Sequence, residues 1–327
     1  MTLKFGCFVP QGWRMDLVEI KDPIEQYEAM TNVAKAADAG PWDSIWLYDH
    51  LHTVPEPTME TTFECWTATA MLARDTQRVK IGQMVTCNGY RSPALLAKIA
   101  STIDVASHGR LLCGFGAGWY EHEWRAYGFG FPETRERMGM FREAVQIIHK
   151  MWTEDEPVFH GKYYTIDKPI NEPKGVQQPH IPLWIGGSGE QVTLKLVAQY
   201  GDACNVGGAP DNIRHKLDVL QRHCDTVGRD SSEIVKSSNL MIHFIPRGAN
   251  PEHATERARQ AAGVSYDDYV KGGVLVGTPE AVVERIGAMV DAGIEYVIAY
   301  LPLVAYDHEP MHIFAEEVIP AFAGANG

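Results

Sequence analysis

The sequence is short of positive charge, of paired cysteines and of long apolar runs, and each shortage removes a class of function. Its 327 residues carry 42 Asp and Glu against 29 Lys and Arg, a formal net charge of −13. Such a chain offers no cationic face, so neither nucleic acid nor an anionic membrane is expected as a partner. No apolar run approaches the roughly 18 residues of a membrane span, and MTLKFGCFVP enters a strand without a signal-peptide core. The six cysteines (Cys7, Cys65, Cys87, Cys113, Cys204, Cys224) form no CxxC pair, and several sit inside strand-like runs. They read as buried thiols in a reducing compartment, and a soluble cytoplasmic protein is expected. A GxxxxGK[ST] phosphate loop is missing, and so is a dinucleotide fingerprint after the first strand. His50 and His52 lack a third ligand at zinc-like spacing, and His308 with His312 lacks the HExxH pattern, so no metal site is expected.

What the sequence does hold is an alternation. Eight short apolar runs read as strands: Lys4–Val9, Ser44–Tyr48, Val79–Val85, the run opening at Leu111, Pro182–Gly186, Ala203–Val206, Leu240–Ile245 and Tyr296–Leu301. Most are followed by an amphipathic helix, with starts marked at Asp22-Pro23, Ser92-Pro93 and Thr278-Pro279. Further helices are expected at Phe63–Arg74, Thr134–Trp152, Asn212–Val227 and Glu309–Phe322. Two stretches, about 119–180 and 247–273, are too long for simple connections; the first suggests a small hairpin around His160-Gly161-Lys162. Eight β/α units in one chain give a (β/α)8 TIM barrel with insertions after strands four and seven, read as a single domain spanning 1–327.

In such a barrel the active site lies at the C-terminal strand ends. There the sequence gathers Pro10–Trp13, Asp49-His50, Met84–Asn88, Gly116–Glu121 and Gly186–Gly189. Asp49-His50 is the sharpest pair, because a histidine at a strand end can move protons near neutral pH; a structural hydrogen bond is the alternative. In RLLCGFGAGWYEHE a buried strand breaks into Gly114, Gly116 and Gly118, which brings bare backbone up to a flat or phosphorylated ligand, or makes a plain glycine turn. Gly186-Gly187-Ser188-Gly189 runs from a strand directly into a helix, where free N–H groups would hold a phosphate, or Ser188 would simply cap the helix. Cys87 is the only cysteine at a strand end, and nothing marks it as activated. Trp46, Met84, Val85 and Trp119 fit the core as well as a cofactor wall.

LYDH, IGQMVT with YRSPALLAK, ASHGRLLCGFGAGWYEHEW and QQPHIPLWIGGSGE, taken in order, resemble the bacterial luciferase-like superfamily. Within it the chain is most similar to actinobacterial coenzyme F420 (deazaflavin)-dependent oxidoreductases. The resemblance implies a dimeric barrel with a flat tricyclic cofactor at the strand ends, backed by a non-prolyl cis peptide at Met84–Val85. It implies cofactor contacts from Met84, Val85, Thr86, Cys87, Asn88, Gly116, Ala117, Gly118 and Trp119, with the phosphate against Gly186, Gly187, Ser188 and Gly189. Asp49 and His50 would form the acid–histidine pair that positions the base. Trp119 departs from the pattern, standing where sugar-phosphate dehydrogenases carry a catalytic glutamate; Glu121 is the substitute the sequence offers, with Trp13 as a second substrate contact. A basic rim of Arg91, Lys98 and Arg110 would meet the cofactor's negative charge. The implied activity is hydride transfer between deazaflavin and a small organic substrate, with His50 as proton donor or acceptor. Alternatives are an FMN-dependent monooxygenase using reduced flavin and oxygen, and a non-catalytic ligand-binding barrel.

Overall fold

A computed structural model describes residues 2–323. Eight parallel strands close on themselves: β1 (Lys4–Phe8), β2 (Ser44–Leu47), β3 (Lys80–Gln83), β4 (Leu111–Gly116), β5 (Leu183–Gly186), β6 (Ala203–Asn205), β7 (Val235–Phe244) and β8 (Tyr296–Tyr300). Each pairs with the next, β7 pairs with both β6 and β8, and β8 returns to β1, so the expected (β/α)8 barrel is the fold. Period-two alternation sets the two faces of each strand. In β2, Ile45 and Leu47 face the shell of helices, while Trp46 enters the barrel and packs with Trp184, Tyr296, Leu112 and Met84. Trp46 is therefore core.

Along β4 the inward positions read Leu112, Gly114, Gly116. A Cβ on Gly114 would collide with the Gln83 carbonyl oxygen, and one on Gly116 would fall 2.5 Å from a Val85 methyl. These glycines make room for β3, which ends at Gln83, passes through the cis Met84–Val85 peptide and resumes as Thr86–Cys87 beside β4. The close approach is thus chain against chain.

Helix α1 (Pro23–Ala39) starts as expected, with the Asp22 carboxylate accepting from the N–H groups of Ile24 and Glu25. Helix α2 (Cys65–Asp75) starts two residues later than expected because Glu64 caps it, accepting from Trp66 and Thr67 N–H. Ser92 and Thr278 precede their prolines at helix starts but make no side-chain cap bond. The 193–200 helix does not follow Gly189 directly; residues 187–192 are turn and loop, so Ser188 is not its cap. The C-terminal helix spans Glu309–Phe322 as expected, α over Glu309–Ile313, π over Phe314–Val318 and 3-10 over Ile319–Phe322.

Both insertions exist. The first holds α4 in chain order after α3 (Pro93–Ala106): α4 is Glu121–Ala126, followed by α5 (Thr134–Thr153) and the hairpin Val158–His160 with Thr165–Asp167. The second folds into three short helices and a strand, Val274–Gly277, that pairs with the upper half of β7. That strand was not foreseen. β7 itself begins five residues before the apolar run suggested, because its polar start is satisfied inside the barrel by Asn205 donating to Ser237 and Asn239. No helix of the described residues is long and apolar enough to cross a membrane.

Candidate active site

β2 leads into Tyr48, Asp49 and His50, and its exit is fixed by Gln11, which accepts from Tyr48 N–H at 2.9 Å and donates to Phe63 O. Asp49 and His50 then part company. The Asp49 carboxylate accepts from Cys87 N–H at 2.8 Å and from both Arg91 nitrogens at 2.6 and 3.0 Å. Arg91 also pairs with the α2 cap Glu64. This buried network ties the ends of β2, β3 and α2 together, and it is the first correction: Asp49 is not the partner of His50.

The partner is Glu123. His50 Nδ1 lies 2.9 Å from Glu123 Oε2, which also accepts from Tyr90 OH at 2.6 Å. Glu123 Oε1 accepts from the N–H groups of Leu51 and His52 at 2.7 and 3.2 Å. Burial pushes this fully enclosed carboxyl up, but the bond and charge of His50, with Tyr90 and Leu51 N–H, outweigh it and hold it below the ordinary glutamate value. A carboxylate only accepts, so Nδ1 carries the proton and Nε2 is left outside this bond. The ring is clamped by Trp13, stacked at 4.9 Å and 12°, and by Trp119 edge-on at 6.0 Å.

His50 lines a cavity of about 980 Å³ at the barrel mouth. One wall is β-strand end: Tyr48, Asp49, Met84, Val85, Cys87 and Gly118. The other comes from the loop after β1 (Trp13, Arg14, Met15, Asp16), the end of β8, and the second insertion, including Tyr269 and Val264. Burial pushes the Cys87 thiol far up, so it is no nucleophile. Burial also pushes Asp16 up, to about 6, against backbone N–H groups and Arg14 that pull the other way.

Of the residues expected at the site, His50, Asp49, Trp13, Met84, Val85, Cys87, Gly118 and Trp119 line this cavity, with Trp119 62 % exposed at its rim. Others lie elsewhere. Thr86 accepts from the Trp66 indole, Asn88 donates to Tyr164, and Gly116 and Ala117 lie off the cavity wall. Gly186, Gly187, Ser188 and Gly189 form a neighbouring shelf, the last three exposed, outside the cavity proper. Glu121 points away and pairs with Arg125 on the surface. The basic rim fails as well. Arg91 is taken by Asp49, Lys98 donates to Glu172 O, and Arg110 donates to the Ala73, Thr76, Val79 and Ser107 carbonyls beneath β4.

Glu123 and Asp16 were the missed residues. For Glu123 the sequence held no signal: at 3.6 residues per turn Glu121 and Glu123 stand equally far, on either side, from the face marked by Tyr120 and Trp124, so helical spacing does not choose between them. For Asp16 there was none, since nothing in a polar loop announces burial.

The luciferase-like monooxygenase family model matches residues 3–261. An F420-dependent glucose-6-phosphate dehydrogenase of Kineococcus radiotolerans is 26% identical over 84% of this chain and 87% of its own length. A 5,10-methylenetetrahydromethanopterin reductase of Archaeoglobus fulgidus is 26% identical over 93% and 98%. Among solved structures, an F420-dependent secondary alcohol dehydrogenase superposes with a TM-score of 0.81 at 23% identity, covering 98% of this chain and 99% of that one. A monooxygenase of Streptomyces bottropensis gives 0.80 at 20% identity, covering 98% and 100%.

Proposed function

The chain belongs to the luciferase-like monooxygenase family, and from that premise we propose that it is a coenzyme F420-dependent oxidoreductase in which His50 moves the proton. The observation that carries the reading is the buried Glu123–His50 pair, its free Nε2 set in a cavity large enough for a flat ring and a substrate together. The relatives named as F420-dependent align over most of both chains, which supports the cofactor.

The residues present fit such a group. Met84, Val85 and Cys87 offer an apolar wall for a planar ring, and Trp119 closes one side at the rim. The Gly187–Gly189 shelf, with Gly187 at φ +114°, is the nearest exposed backbone for a phosphate. When bound, the deazaflavin supplies or accepts the hydride. The chain does the rest. Nε2 of His50 takes the proton that a substrate hydroxyl loses as its carbon gives up hydride, or returns it in the reverse direction. Glu123 fixes the tautomer, aims the ring and stabilises the imidazolium that forms. Trp13 and Trp119 hold the imidazole plane and keep water from it. Both insertions contribute to the cavity, which supports treating barrel and insertions as one catalytic domain.

Turnover with the deazaflavin tests this. His50→Ala and His50→Gln are expected to lose activity while binding the cofactor as the parent does. Unchanged kcat in His50→Gln would refute the assignment. Oxygen consumption with reduced FMN, and none of the deazaflavin activity, would move the chain to the monooxygenase reading.

A further inference from the structure

Tyr90 stands in the His50 site without a part in the proton transfer proposed above, and the role drawn for it here rests on that reading. It ends the short 3-10 turn Asn88–Tyr90, which follows the resumed end of β3. Trp124 of α4 packs under this turn so tightly that a Cβ on Gly89 would collide with the indole. The bare glycine lets α4 come close, and the residue before Trp124 is Glu123. The Tyr90 ring is held by Phe129, stacked at 5.2 Å and 25°, and by Trp124 edge-on at 5.9 Å. Its hydroxyl ends 2.6 Å from Glu123 Oε2.

The four donors on Glu123 divide by kind. Oε1 takes the backbone N–H groups of Leu51 and His52, which a change of side chain leaves in place. Oε2 takes two side chains, His50 Nδ1 at 2.9 Å and Tyr90 OH at 2.6 Å. A phenol bonded to a carboxylate donates its proton. Burial, then Cys87 and Glu123, push the Tyr90 hydroxyl far up, so it stays protonated and stays a donor. A hydrogen bond to the charged form of a carboxyl stabilises that form. Tyr90 therefore makes Glu123 a weaker base and a weaker counter-charge for the His50 imidazolium, because both donors draw on one oxygen.

We infer that Tyr90 is a positioning residue which, acting through Glu123, weakens the hold of His50 on its proton. A group that must pass on the proton it takes is served by a weaker hold. The other groups around the pair do not compete for Oε2. His52 Nδ1 stands 3.9 Å from Oε1. The Tyr120 and Tyr48 rings lie 6.1 and 6.5 Å from the imidazole, and Trp13 and Trp119 carry no charge. Asp49 is paired with Arg91, and burial keeps Cys87 a thiol.

The test follows the histidine ring signals of the full chain by NMR through a pH titration, with no cofactor or substrate added. The His50 signal is the one missing from His50→Gln. Tyr90→Phe keeps the ring on Phe129 and removes the oxygen. In that variant His50 is expected to keep its proton to higher pH by about 0.5–1 unit, a gain in proton affinity of about three- to tenfold. Tyr164→Phe is the control, since it takes a hydroxyl from the neighbouring Asn88 and none from Glu123; there His50 should titrate as in the parent. Replacing all tyrosines by 3-fluorotyrosine keeps every hydroxyl and makes each a stronger donor, so it should move His50 to lower pH without a change of fold. An unchanged or lowered His50 titration in Tyr90→Phe, an equal rise in Tyr164→Phe, or a rise with fluorotyrosine would each overturn the inference. A separate deazaflavin titration keeps the two readings apart. The His50 shift without deazaflavin binding sinks only the cofactor assignment; deazaflavin binding without the shift sinks only the role of Tyr90.

Discussion

The two walls of the cavity are opposites. On the strand side Asp49 takes three donors, and Glu123, behind that wall on α4, takes four. On the loop side Asp16 Oδ2 and Trp13 Nε1 have no partner at all. A saturated wall is rigid and already arranged for its task, because each bond fixes a rotamer and low polarity strengthens it. The difference separates a fixed histidine–carboxylate pair from a loop that holds two unpartnered buried atoms.

Breaking the saturated side should give the largest effects. His50→Ala removes the proposed proton carrier, and kcat is expected to fall by about 10²–10⁴ with cofactor affinity kept, measured by steady-state kinetics and titration. Glu123→Gln leaves an amide facing two backbone N–H donors, so it should cost about 3–5 kcal/mol as a broken buried pair. It should also lower kcat by about 10–100-fold through loss of the His50 orientation. Denaturant melts and kinetics on the soluble variant check both.

The two acids should also carry opposite pH signatures. Glu123 is held below its ordinary value, so its stabilisation is present above that value and is lost as pH falls through the lower folded one. Asp16 is raised to about 6 from 3.8. Between those limits the unfolded chain has released a proton that the folded chain keeps, so stability falls as pH rises from about 4 to 6 and the penalty stays in place above that. Asp16→Asn is therefore expected to stabilise the protein by roughly 2–3 kcal/mol at pH 7 and by little near pH 4. Urea midpoints at both pH values measure it, and a destabilised Asp16→Asn at pH 7 would contradict the contrast between the walls. The smallest effect belongs to Glu121→Ala, which touches only an exposed pair with Arg125 and should change stability by less than about 0.5 kcal/mol.

The same division governs what could be read from the sequence. Apolar runs announce strands when the residues face outward into the helix shell, as Ile45 and Leu47 do, so the barrel was legible. Where β7 carries Ser237 and Asn239 near its start the signal vanishes, because inside the barrel Asn205 of β6 donates to both. His50 was legible from its place at a strand end. Its partner was not: sequence adjacency favoured Asp49, yet neighbouring residues leave a strand in opposite directions, and the carboxylate that reaches His50 comes from 73 residues away on α4. The alternating glycines of β4 mark a close approach, but at Gly114 and Gly116 the approaching groups are the Gln83 carbonyl and Val85, not a ligand.

Fluorescence titration of the purified protein with the deazaflavin and, in parallel, with FMN tests whether the strand wall holds the deazaflavin. Micromolar deazaflavin binding, weak FMN binding, and the same deazaflavin affinity in Asp16→Asn are expected. Preference for FMN, or binding of neither, would contradict it.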